Sequence, residues 1–133
     1  MNVQTYLFFD GCCQRAIEAY VAALGAEVLH LSRFSSAPEH LRSPERDELV
    51  FHATLRIGDT LLNLSDDPQC ERGAFGGFAL LVHMDSPEAV DRAAAALSVG
   101  GTADMAPQTT FWGERYAIVT DGFGVVWKLQ FST

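Results

Sequence analysis

The chain has 133 residues, 48% hydrophobic and 20% charged, which is enough for one domain with its own core. Its formal charge of −8 repels phosphate backbones and anionic lipid, so neither nucleic acid nor a membrane is an expected partner. Met1 to Gly11 lacks a basic leader, no window approaches a membrane span, and three cysteines, two of them adjacent, make no disulfide framework; a reducing cytoplasm is the expected setting.

Thr5 to Phe9 reads as a first strand, ended by Asp10-Gly11. Cys13, Ala16, Ile17, Tyr20, Val21 and Leu24 then fall on one face of a helix that Gly25 stops. Cys12 and Cys13, at the start of this helix, read as small buried residues rather than reactive thiols. Ala26 to Phe34 is a strand, and Ser35 to Glu48, with Pro38 and Pro44, a mobile loop. Leu49 to Ile57 and Thr60 to Ser65 are strands about the Gly58-Asp59 turn. Asn63-Leu64-Ser65 fits a glycosylation acceptor, discounted for want of a secretory signal.

Asp66 to Gly77 reads as a linker whose Gly73, Gly76 and Gly77 lack the strand–helix context of a nucleotide loop. Phe78 to Met84 is a strand. Ser86 caps a second helix with Pro87 at its first position, and Ala89, Val90, Ala93, Ala94 and Leu97 form the buried face. Gly100-Gly101 end that helix, and Thr102 to Thr110 is a strand made irregular by Pro107. Tyr116 to Val119 and Val125 to Phe131 form a hairpin about Asp121-Gly122-Phe123-Gly124.

The helix faces repeat: Ala16, Ile17, Tyr20, Val21 and Leu24 recur 73 positions later as Ala89, Val90, Ala93, Ala94 and Leu97. Each helix follows a strand ending in Asp and precedes three strands. The expected fold is therefore α+β, two βαβββ modules in a single domain, with module one at 1–66, a linker at 67–77 and module two at 78–133. Each unit covers one sheet face with its helix and leaves the other open, and two such sheets can curl around a cavity.

Three runs carry a family resemblance. They are Tyr6-Leu7-Phe8-Phe9 with Ala16-Ile17, Tyr20 and Ala23 to Val28; His52-Ala53 with Leu55 to Asp59; and Thr110-Phe111-Trp112-Gly113 with Arg115, Val119-Thr120-Asp121, Phe123-Gly124-Val125 and Trp127. On these the chain resembles the vicinal oxygen chelate superfamily of glyoxalases, bleomycin-resistance proteins and extradiol dioxygenases, and within it the PhnB-like branch. The resemblance implies a cup-shaped mixed sheet and a homodimer with a site in each cup. In the metal enzymes of the family, His and Glu side chains hold a divalent ion that acts as a Lewis acid. Carried over by position, those ligands fall on Thr5, Asn63, Ala79 or Phe78, and Lys128, none of which is an imidazole or carboxylate. The methyltransferase label common in this branch finds no nucleotide loop here.

The residues expected to line the cup are Leu7, Phe9, His52, Asn63, Phe111, Trp112, Arg115, Lys128 and Gln130, with Trp112 and Arg115 converging across a hinge at Gly113. His52 shares a strand face with Thr54 and Arg56, opposite Phe51, Ala53, Leu55 and Ile57. Such a pocket suits a small, partly apolar ligand bearing an anionic or carbonyl group. Two functions fit: a binding protein without a cofactor that sequesters its ligand, or a lyase- or dioxygenase-type enzyme, metal-free or with a divalent metal on unusual ligands such as His52 and Glu114.

Overall fold

The computed structural model describes residues 1–67, 75–112 and 114–132. The chain divides into two compact units, Met1–Arg72 and Gly73–Thr133, each built from one helix and one four-stranded mixed sheet.

The first sheet has the order β1-β4-β3-β2, with β1 (Thr5–Phe9), β2 (Glu27–Arg33), β3 (Val50–Ile57) and β4 (Thr60–Asp66). β1 runs parallel to β4, and the other neighbours are antiparallel. Helix α1 (Cys13–Leu24) buries Cys13, Ala16, Ile17 and Tyr20. Its last turn closes as expected, with Gly25 at φ 65° and its N–H directed to the carbonyls of Tyr20 and Val21. Its first turn has no side-chain cap from Cys12. Buried Asp66 supplies one instead: Oδ1 accepts the Cys13 N–H at 3.0 Å, while Oδ2 accepts the Val50 N–H at 3.0 Å. One carboxylate from the end of β4 thus joins the helix start to the start of β3.

Strand parity decides which residues meet the helix. Leu7 pairs with Leu64 and Thr5 with Leu62, and Ala53 and Leu55 lie on the same buried side. Tyr6, opposite Asn63, and Phe8, opposite Ser65, take the open side. The stretch expected as a loop between β2 and β3 contains two 3-10 turns, Phe34–Ser36 and Glu39–Leu41. Phe34 anchors it, buried edge-on against Phe51 at 5.2 Å.

The second sheet repeats the plan in the order β5-β8-β7-β6, with β5 (Leu80–His83), β6 (Thr102–Thr109), β7 (Arg115–Thr120) and β8 (Val126–Phe131). Helix α2 (Pro87–Leu97) starts as its sequence predicts: Ser86 Oγ accepts the Ala89 N–H at 3.1 Å and Pro87 opens the helix. β6 has irregular register on either side of Met105, in the strand that Pro107 interrupts. The turn before β8 is built on buried Asp121, whose Oδ1 accepts the N–H groups of Phe123 and Val125 at 2.9 and 3.0 Å. Its Oδ2 accepts the indole N–H of buried Trp127 at 2.9 Å. No helix among the described residues is long and apolar enough to cross a membrane.

Candidate functional site

Each unit has one sheet face not covered by its own helix, and the chemistry concentrates there. On the first sheet, β1 contributes Tyr6 and Phe8, β2 contributes His30, β3 contributes His52 and Thr54, and β4 contributes Asn63. Tyr6 and Phe8 stack at 4.8 Å with their planes 9° apart. Tyr6 Oη lies 2.7 Å from His52 Nδ1, and His52 Nε2 lies 3.2 Å from Thr54 Oγ1. The Thr54 hydroxyl donates to Asn63 Oδ1 at 3.1 Å, and Asn63 Nδ2 donates to Gln4 Oε1 at 2.8 Å. Burial, and secondarily His30 at 5.5 Å between ring centres, holds the His52 pKa below the usual imidazole value. Arg56, further along β3, is committed to Glu27.

On the second sheet, Lys128 and Gln130 of β8 pair with Leu81 and His83 of β5 on one side and with Ile118 and Tyr116 of β7 on the other. Glu114, just before β7, gathers donors: Trp112 Nε1 at 2.5 Å and Gln130 Nε2 at 2.6 Å reach Oε2, and the Ser132 hydroxyl reaches Oε1 at 2.8 Å. Those hydrogen bonds, Trp112 foremost, with a smaller contribution from the charge of His83, hold the Glu114 pKa below the ordinary carboxylate value. Lys128 is half-buried and has no hydrogen-bond or ion-pair partner among the described residues.

Several expected site residues lie elsewhere. Leu7 and Phe9 are 1% and 2% exposed, in the first unit's core; the aromatic pair on the open face is Tyr6 and Phe8, one position earlier in each case. Arg115 does not converge with Trp112. It shares parity with Ala117 and Val119 on the helix side of β7 and clamps Asp91 of α2 through Nε at 2.9 Å and Nη2 at 3.1 Å. Phe111 and Trp112 are 97% and 55% exposed and pack edge-on at 4.7 Å, so neither belongs to a core. Gly113, the expected hinge, lies outside the described residues, as does Cys70. His52, Asn63, Lys128 and Gln130 lie on the faces of their own sheets that are turned away from the helices. Cys12 and Cys13 are buried; burial pushes the Cys13 thiol pKa up, and the Asp66 charge and Cys12 add to the shift.

The sheet pairing also corrects the family ligand positions. The first-strand residue facing Asn63 is Tyr6, not Thr5, and the fifth-strand residue facing Lys128 is Leu81, not Ala79 or Phe78. A phenol, an amide, an isobutyl group and an ammonium do not make a divalent-metal donor set. Among the described residues no three His, Cys, Asp or Glu side chains group as metal ligands. The unusual pair does no better: both His52 nitrogens are engaged by Tyr6 and Thr54, and Glu114 is engaged by Trp112, Gln130 and Ser132.

Two helix-backed, four-stranded mixed sheets repeated along one chain define the glyoxalase fold class, and the sequence agrees. The chain belongs to the Glyoxalase/Bleomycin resistance protein/Dioxygenase superfamily, whose model matches residues 3–129. Protein YjdN of Escherichia coli K12 is 31% identical over 139 residues, covering 98% of this chain and 95% of its own length. The crystal structure of PA1353 from Pseudomonas aeruginosa superposes with a TM-score of 0.88 at 29% identity, covering 99% of this chain and 98% of that one. The PhnB protein from Bacillus cereus shares the fold with a TM-score of 0.82 at 20% identity, over 99% of this chain and all of that one.

Proposed function

We propose that this protein binds a small, partly apolar molecule with an anionic or carbonyl group on the open face of its second sheet, with Lys128 as the recognising cation. The observation that carries this is an ammonium with no counter-ion among the described residues, between Leu81 and Ile118 on the neighbouring strands. A half-buried charge in such surroundings gains more from an arriving oxyanion than an exposed one does. The neighbouring Gln130 and Trp112 both donate to Glu114, while the Lys128 ammonium keeps its donors uncommitted among the described residues and the indole face is open to packing.

The test is a thermal-shift screen of small aromatic carboxylates and ketones, with hits measured by calorimetry against wild type and Lys128→Met. Methionine keeps the apolar stem and removes the charge. A charge-assisted bond of about 1.5–3 kcal/mol corresponds to a loss of roughly ten- to a hundred-fold in affinity. Hits that bind both proteins equally well would refute the assignment. The working form proposed is a cytoplasmic homodimer, in which a second copy covers sheet edges such as exposed β2. Sedimentation showing only monomer at micromolar concentration would overturn the dimer.

A further inference from the structure

The chain has nine lysine and arginine side chains, and Lys128 is its one lysine. The arginines serve the fold. Arg33 donates to Gln14 and to the Glu48 carbonyl, Arg56 pairs with Glu27, Arg115 pairs with Asp91, and Arg46 lies over the Phe34 ring. Where this chain needs only a cation, it uses a guanidinium, which stays charged and is no nucleophile. An ammonium differs in one respect: on losing a proton it becomes a primary amine that attacks carbonyl carbon. Lys128 is half-buried between Leu81 and Ile118, with no ion-pair or hydrogen-bond partner among the described residues. Glu114, in the same unit, is engaged by Trp112, Gln130 and Ser132 instead.

We propose that Lys128 is a covalent capture site for small apolar aldehydes, which it holds as an imine. This rests on the reading of Lys128 as the ligand-facing cation and adds a bond-forming step to it. The lone pair of the neutral Nζ attacks the carbonyl carbon, and the carbonyl π pair moves to oxygen, which takes a proton. The resulting carbinolamine loses water, made of the carbonyl oxygen and the two amine protons, and a C=N bond remains. The step is a condensation, so no oxidant or reductant takes part. Leu81 and Ile118 offer apolar packing beside the amine, and an aldehyde held there meets Nζ at a high effective concentration.

The test treats the full chain with benzaldehyde and cyanoborohydride at pH 7, which fixes an imine as a benzyl amine, and maps the product by peptide mass spectrometry. The amino terminus is an internal reference. In a denatured chain it takes the aldehyde first, because roughly a hundred-fold more of a terminal amine than of a lysine is neutral at this pH. In the native protein the benzyl group is expected chiefly on Lys128, and in urea the preference inverts toward the terminus. Lys128→Arg, which keeps a cation without a nucleophile, gives no adduct at that position. Native labelling chiefly at the terminus, or the same ratio of the two sites in urea, would overturn the proposal. Benzoate affinity, measured on wild type and Lys128→Met, separates the two readings. Weaker benzoate binding in Lys128→Met without a Lys128 adduct in wild type would overturn imine capture and leave anion recognition standing. Equal benzoate binding with a native Lys128 adduct would support capture and remove anion recognition.

Discussion

Asp121 sets the geometry from which β8 departs, and removing its charge gives a large, calculable effect. Asp121→Asn keeps the shape of the side chain but leaves one acceptor oxygen. If that oxygen continues to serve Phe123 and Val125, an amide NH2 faces the indole N–H of Trp127, donor against donor. A buried donor left unsatisfied costs about 1–3 kcal/mol, and two backbone bonds that lose charge assistance cost roughly 1 kcal/mol each. The expected destabilisation is about 3–5 kcal/mol, or a melting temperature lowered by roughly 10–20 °C in a protein of this size. Differential scanning calorimetry measures it, with Asp104→Ala as control. Asp104 accepts an exposed hydrogen bond from Thr120, so its loss should change stability by about 0.5 kcal/mol or less. A melting point for Asp121→Asn within about 4 °C of wild type would show that the buried carboxylate does not organise the turn.

Three further outcomes follow from single observations. A Cβ on Gly101 would lie 2.1 Å from the Thr120 carbonyl oxygen and 2.6 Å from the Asp121 carbonyl carbon, so Gly101→Ala must force β6 away from the turn. An overpacking cost of about 1–3 kcal/mol is expected by urea titration, and an unchanged midpoint would contradict the close approach. Cys13, buried and with its pKa pushed up, should resist Ellman's reagent at pH 8 in the folded protein and react on denaturation; rapid native labelling mapped to Cys13 would refute this. For His52 the folded pKa is depressed, so the unfolded chain binds the extra proton first, and stability rises with pH across the window between the two values. The contribution of neutral His52 and its contacts with Tyr6 and Thr54 is full above the unfolded pKa of about 6.5 and fades as pH falls toward the folded value. The facing titratable groups are Tyr6 on β1 and His30 on β2. The melting temperature of wild type minus that of His52→Gln should therefore shrink on acidification; a constant difference would show that a depressed His52 pKa does not contribute.

What the sequence made legible followed from periodicity. The helix faces, the Gly25 and Ser86 caps and the alternation of β3 all appear where one face is apolar and the other polar. The first strand misled because Thr-Tyr-Leu-Phe-Phe is apolar on both sides, so alternation cannot say whether Tyr6 or Leu7 meets the helix; only its pairing with Asn63 and Leu64 settles that. Arg115 was readable in principle, since Ala117 and Val119 fix the parity of β7, but the attraction of an Asp 24 positions earlier on α2 has no local signature. Asp66 caps a helix start 53 positions away, again through tertiary structure alone. The Tyr6–His52–Thr54–Asn63 chain joins three strands, and a lone strand histidine gives no hint of it.

The most direct measurement is a chemical-shift map of backbone amides as a carboxylate or ketone hit from the screen is titrated into isotopically labelled protein. Binding through Lys128 predicts saturable shifts centred on Lys128 and Gln130 of β8 and on Leu81, His83, Ile118 and Tyr116 beside them, with the amides of α2 nearly silent. Shifts centred on α2, or spread without saturation, would contradict a ligand site on the open face of the second sheet.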